Sequence, residues 1–147
     1  MKPIPSPRQS ILLGVSYALV LQFLGAPAAE AADRIANGQW ESAMATDGQT
    51  RTVTYCISPA EAASINGDSR TGRDFAEKKA EKAGSRCTIK SYDLKGDTGS
   101  YVLNCGSRTI TDTTVYHGDT SDGVKIVTNE GVTIKTLLKS RRIGTCP

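Results

Sequence analysis

From about residue 38 onward, apolar and polar positions alternate in short runs rich in threonine, valine, isoleucine and tyrosine. Each run is closed by glycine, asparagine, aspartate or serine. A period of two sends successive side chains to opposite faces of a strand, and β-branched and aromatic residues suit that pleated surface. The pattern predicts strands at 38–45, carrying Trp40, and at 51–57, where Val53, Tyr55 and Ile57 share a face. Strands at 87–94 and 100–105 flank Lys95-Gly96-Asp97-Thr98-Gly99, a glycine-containing hairpin loop. Strands at 108–116, 124–128 and 132–139 complete the set, and Asn129-Glu130-Gly131 turns the last two. Seven strands at this spacing predict a mainly β, single small domain built on a curved antiparallel meander sheet. Closure into a partial barrel is left open by the pattern.

One stretch, between Cys56 and Cys87, does not alternate. Ser58-Pro59-Ala60-Glu61 is a capping box with proline at the first helical position, which predicts a short helix from Pro59 to about Ser64. A second start follows at Thr71-Gly72-Arg73-Asp74. Phe75, Ala76, Ala80 and Ala83 then fall near one side, and Gly84 is a C-terminal stop. Asp74 and Lys78 are spaced for an i,i+4 pair. Phe75 is the one large anchor on this helix, so it is expected to dock loosely. Residues 65–70 read as a polar turn.

The N-terminus has a different pattern. Lys2 and Arg8 lead into an apolar run of 15 residues ending at Gly25, followed by Ala26-Pro27-Ala28-Ala29-Glu30-Ala31. A positive start, an apolar middle and a small-residue exit make a secretory signal peptide, and the run falls short of the roughly 20 residues that cross a bilayer. Ser16, Tyr17 and Gln22 weaken it further as a permanent anchor helix, which is the competing reading. Cleavage is expected after Ala31, with Ala28 as second choice. That divides the chain into a signal at 1–31 and a domain at 32–147, periplasmic or secreted, with no further transmembrane segment.

Export changes how the cysteines are read. Cys56, Cys87, Cys105 and Cys146 all lie in the mature part, and an even count in a small exported domain indicates two disulfides. No C-x-x-C spacing is present and the lone histidine is distant from all four, which argues against zinc or a redox pair. Cys56–Cys87 with Cys105–Cys146 is the favoured pairing, closing the helical stretch onto the sheet and tying down the C-terminus. Its main rival is Cys87–Cys105 with Cys56–Cys146, because the Cys87 and Cys105 strands form a hairpin.

Charge adds little. The full chain has 18 basic and 15 acidic residues. Loss of Lys2, Arg8 and Glu30 with the leader makes the mature net charge +2, too mild for a nucleic-acid partner. Lys135, Lys139, Arg141 and Arg142 do make the last strand basic. They suit weak contact with an anionic envelope surface, but the favoured reading is a lysine-protected edge strand.

Candidate chemistry is sparse. His117 sits in Tyr116-His117-Gly118-Asp119-Thr120-Ser121-Asp122-Gly123, where Asp119 and Asp122 are potential partners for a general base or metal ligand. The same residues are turn formers, so a plain hairpin loop is preferred. No nucleophile elbow or phosphate loop is present, and no residue is assigned to catalysis, a cofactor or a metal. Trp40 with Glu41 could line a ligand site, walled by Tyr55, Tyr92, Tyr101 and Tyr116. With aromatics at only 5% of the chain, core packing is the favoured role for Trp40, and a lined sugar or lipid calyx is not expected.

With these residues placed, the chain resembles the bacterial exported proteins grouped as domain of unknown function 3617. The carrying features are Gly38-Gln39-Trp40-Glu41, then Cys56-Ile57-Ser58-Pro59-Ala60-Glu61-Ala62-Ala63. Cys87 then opens a strand, Asn104-Cys105 closes another, and the chain ends in Arg142-Ile143-Gly144-Thr145-Cys146-Pro147. The resemblance implies a periplasmic, disulfide-bonded, mainly β domain with no assigned activity and no catalytic residues to transfer. The family's methionine- and glycine-rich stretch before the last strand has no counterpart, since residues 106–129 contain no methionine. The expectation is an exported cell-envelope accessory or binding domain without catalytic activity. The alternative is a small envelope enzyme whose site would show as polar groups converging in a deep pocket.

Overall fold

The computed structural model of the protein describes residues 33–83 and 86–147. The leader expected at 1–31, its cleavage point and the helix stop at Gly84 lie outside the described residues. The strands are β1 Gly38–Thr46, β2 Gln49–Ile57, β3 Cys87–Lys95, β4 Thr98–Cys105, β5 Arg108–Tyr116, β6 Thr120–Asn129 and β7 Val132–Gly144. Two helices, α1 Pro59–Asn66 and α2 Ser69–Ala83, fill the β2–β3 connection.

All seven strands form one antiparallel sheet in the order β2-β1-β7-β6-β5-β4-β3. Strands β3 to β7 are the expected meander. The β1–β2 hairpin then adds to β7, so the first and last strands are neighbours. The sheet is open, with β2 and β3 as its edges. Local chemistry sets the register. Asp47-Gly48 and Glu130-Gly131 have φ of 48° and 78°, and of 48° and 84°. Two positive φ values make the tight hairpin turn whose twist matches the strands it joins. The β1–β2 ladder accordingly runs without a slip from Gly38↔Ile57 to Thr46↔Gln49.

All strands but β5 are longer than their alternation predicts, β6 and β7 by the most. Strand β6 begins at Thr120, because Asp122 and Gly123 pair with Val115 and Thr114 through their backbones despite being turn formers. Strand β7 continues to Gly144 because β1 pairs with it along that length. The second extension overturns an expectation. The basic C-terminal strand is not a protected edge; it lies between β1 and β6.

The β2–β3 connection must travel from one edge of the sheet to the other. It does so over the face that carries Trp40 and Tyr116, called the inner face below. Helix α1 has the expected capping box: the Glu61 amide donates to Ser58 Oγ at 3.2 Å, and the Ser58 amide donates to Glu61 Oε2 at 2.9 Å. Helix α2 starts earlier than expected, because Asp68 accepts the Thr71 amide at 2.8 Å and stabilises the first turn. Its i,i+4 ion pair is Arg73–Glu77 at 2.8 Å rather than Asp74–Lys78. Under α1, Ile35, Trp40, Ile57 and Ala62 form the buried core, with Ile65 and Tyr116 packed against it.

The disulfides are Cys56–Cys146 and Cys87–Cys105, the rival pairing rather than the favoured one. Topology explains the correction. Cys56 and Cys87 sit on opposite edges of the sheet, so no bridge between them closes the helical stretch. Cys87 and Cys105 face each other across the β3–β4 ladder, with Cα atoms 4.1 Å apart. Cys146 passes the end of β1, which separates β7 from β2, and reaches Cys56 with a Cα separation of 5.6 Å.

Candidate functional site

A cavity of about 350 Å³ lies between α2 and the β3–β5 part of the inner face. Helix α2 contributes Gly72, Phe75, Ala76, Lys79 and Ala80, the i, i+3, i+4, i+7 stripe of one helical face. The sheet contributes Ile89, Tyr92, Tyr101, Leu103 and Tyr116. Ile89 and Tyr92 are an odd number of residues apart, yet they oppose Leu103 and Tyr101 on one face. The register shift between Ile89 and Ser91 makes this possible, since a bulge re-aims the side chains that follow it. Close approach of helix and sheet depends on Gly72, where any Cβ would collide with the Tyr92 ring and hydroxyl.

A second compartment, about 390 Å³, continues across the inner face of the central strands. It shares Ile65, Phe75, Lys79 and Tyr116 with the first. Its floor is polar and small. Tyr116, Ser121, Ser140 and Ser42 are successive cross-strand neighbours on β5, β6, β7 and β1. Ser140 donates to Ser42 Oγ at 3.0 Å.

Burial decides the protonation of the tyrosines. The Tyr101 hydroxyl is pushed up to about 12, chiefly by desolvation, with the Asp112 carboxylate adding to it. Burial also raises Tyr116 and Tyr92. These phenols remain neutral hydrogen-bonding groups at physiological pH. At the junction of the compartments, Lys79 pairs with Glu61 at 2.5 Å. That hydrogen bond, followed by the Ser58 amide, holds the Glu61 carboxyl below its ordinary value. Lys125 lies 3.6 Å from Asp112, and Thr114 Oγ1 donates to Asp112 Oδ1 at 3.0 Å.

The sequence candidates separate cleanly. Trp40 is fully buried and its indole N–H donates to the Ala36 carbonyl at 3.0 Å, so it is core. Glu41 points to the opposite face, where Arg141 pairs with it at 2.9 Å, so the two residues line no common site. His117 is half exposed and lies 3.6 Å from Asp122, while Asp119 lies 3.9 Å from Arg142. Among the described residues no group of three or more histidine, cysteine, aspartate or glutamate side chains is placed to hold a metal. Of the basic set, Lys139 lies 3.9 Å from Asp122, and the Arg142 Nε donates to the Asn37 carbonyl at 2.7 Å.

The aromatic count misled. Trp40, Tyr55, Phe75, Tyr92, Tyr101 and Tyr116 are the six aromatics after position 31. Apart from Trp40, all of them line one or both compartments. A low percentage says nothing about convergence: these five gather on the inner face. Sequence reasoning also missed Arg34 and Asn66. Arg34 donates to the Ile65, Asn66 and Gly67 carbonyls at 3.2, 2.8 and 2.9 Å, satisfying the free C-terminal end of α1. Asn66 exchanges two hydrogen bonds of 2.9 Å with the Ile35 backbone. Nothing in the local pattern of either residue signals that long-range contact.

One open antiparallel sheet with a helical connection laid over its inner face and two disulfides defines a stapled β domain with a roofed cavity. Residues 35–146 match the family described as protein of unknown function (DUF3617), and the chain belongs to it. No curated protein and no solved structure matches.

Proposed function

We propose that this is an exported, periplasmic cell-envelope binding domain that holds an apolar ligand between α2 and the sheet and does not transform it. The cavity of about 350 Å³ carries this reading. Small-molecule sites are concave, mostly apolar and of roughly 300–1,000 Å³, with a few polar groups at fixed points. Here aromatic and aliphatic walls meet neutral tyrosine hydroxyls. Export is supported by the leader pattern and by the two disulfides, which persist in oxidising compartments. Among the described residues no helix is long and apolar enough to cross a membrane.

The enzyme alternative needs an ionised base or nucleophile in the pocket. The phenols there are shifted away from ionisation, and Glu61 is held by Lys79. Native mass spectrometry of protein taken from the periplasm tests the proposal. The expected result is a chain beginning at Ala32 and carrying a small apolar molecule that denaturation releases. A chain beginning at Met1, or one that is bare and takes up no apolar probe, contradicts it.

A further inference from the structure

Both compartments have largely apolar walls, and the second adds a row of hydroxyls. The one under α2 is walled by Phe75, Ala76, Ala80, Ile89 and Leu103. The adjoining one carries hydroxyls along its floor, Ser121 and Tyr116 among them. Ser121 is only 8% exposed and lines the compartment. Its neighbour Ser140 is engaged with Ser42, whereas the Ser121 hydroxyl donates to no described side chain or carbonyl. No sealed-off side-chain nitrogen or oxygen among the described residues lacks a partner, so the Ser121 hydroxyl opens onto the compartment. Open to the compartment, that hydroxyl can exchange a water for a ligand group that donates and accepts hydrogen bonds.

Charge narrows what that something is. The ionic groups facing this space are Glu61, Lys79 and Lys125, with Asp112 beside Lys125. Each cation has its carboxylate: Lys79 has Glu61, and Lys125 has Asp112. An anionic head would compete with Glu61 or Asp112, and a cationic head would compete with a lysine. Leaving one member unmatched is costly for the partly buried Lys125–Asp112 pair and less so for the more exposed Lys79–Glu61 pair. An uncharged group that donates and accepts hydrogen bonds meets no such penalty.

Resting on the binding reading above, we propose that the ligand is an uncharged single-chain amphiphile. Its hydrocarbon tail lies under α2 against Ile89 and Leu103, and its hydroxyl or ester head is held by Ser121 and Tyr116 on the hydroxyl floor. Tyr116 lines both compartments and marks the boundary between tail and head.

The test uses the mature protein at neutral pH, with N-phenyl-1-naphthylamine as the apolar probe. Monododecanoylglycerol, dodecanoate and dodecylamine compete against it below their micelle-forming concentrations. The neutral ester is expected to displace the probe at about a tenfold lower concentration than either charged competitor. Ser121→Ala and Tyr116→Phe should each shrink that preference several-fold, read as the ratio of neutral to charged competitor concentrations within the same variant. Ala80→Trp, which fills the tail compartment, should abolish probe binding in a protein that still melts cooperatively. If the probe binds but the three competitors are equivalent, or if both hydroxyl variants keep the full preference, the head-group assignment is wrong and the apolar site stands. If the folded wild-type protein does not bind the probe, the binding reading falls and this inference falls with it.

Discussion

The inner face of the sheet has two differently built ends. At one, Ile35, Trp40, Ile57 and Ala62 are packed to between 0 and 7% exposure under α1, and Cys56–Cys146 closes the structure. At the other, α2 covers Ile89, Tyr92, Tyr101 and Leu103 but leaves a cavity, and Cys87–Cys105 is the local staple. The contrast follows from the residues on the two helices. Helix α1 offers Ala62 to a floor that contains tryptophan, so large meets small around Trp40, and only Ile35 and Ile57 of this cluster reach the border of the second compartment. Helix α2 offers Gly72, Ala76 and Ala80 to tyrosines held upright on the sheet, with Phe75 as its one bulky side chain. The filled end accounts for stability, and the hollow end is the part of the molecule available for binding.

The disulfides should break this comparison most strongly. Cys56 and Cys146 are separated by 90 residues, and Cys87 and Cys105 by 18. By loop-closure entropy the long bridge contributes about 4–5 kcal/mol and the short one about 3. Denaturant unfolding of the paired alanine variants measures both, and an equal loss from the two would refute the assignment of roles. Next in size, Trp40→Ala should cost about 3–5 kcal/mol by the same measurement.

Equivalent enlargements sharpen the contrast. Ala62→Leu overpacks the filled end and should cost about 1–3 kcal/mol. Ala80→Leu borders the void and should cost less or stabilise, while weakening the binding of an apolar probe. Equal costs in thermal melts would mean that the hollow end is as tightly packed as the core.

Alkali should also act on the hollow end first. The folded-state value of Tyr101 is raised from 10.0 to about 12. The stability from keeping it neutral is fully present below pH 10 and is lost as pH rises through its folded value. Tyr101→Phe should flatten that alkaline loss, as read from melting temperature against pH. Acid works through Glu61 in the opposite sense. Its carboxyl is held down by Lys79, so its contribution is present above the ordinary 4.5 and disappears as pH falls through the lowered value. Lys79→Met should reduce that acid sensitivity. The smallest expected effect is His117→Ala, within about ±0.5 kcal/mol, because the ring is half exposed and its neighbour is a surface carboxylate.

Much of the scaffold was legible from local pattern. Period-two runs marked all seven strands, and Ser58-Pro59-Ala60-Glu61 marked the start of α1 to the residue. What stayed hidden was decided at long range. The order of strands put β7 inside the sheet, so basic residues that suit an edge, Lys139 and Arg141, serve there as cross-strand partners of Asp122 and Glu41. The same order put Cys56 and Cys87 on opposite edges and so reversed the favoured pairing. The bulge at Lys90 is invisible to simple alternation, yet it places Tyr92 beside Tyr101. Trp40 was read as core from its type and is core. The tyrosines were discounted by composition, although their convergence forms the cavity wall. Asp47-Gly48 and Asp68-x-x-Thr71 were readable signals, for a tight hairpin and for the start of α2.

The central claim is that the hollow end takes up an apolar molecule and the filled end does not. Methyl resonances report on both ends at once. When N-phenyl-1-naphthylamine is titrated into the mature protein, the methyls of Ile65, Ala76, Ala80, Ile89 and Leu103 should shift together to saturation. That of Ala62, which lines neither compartment, should hold its position. Shifts confined to Leu137 and Ile143 on the outer face, or no saturable shift at all, would contradict the account.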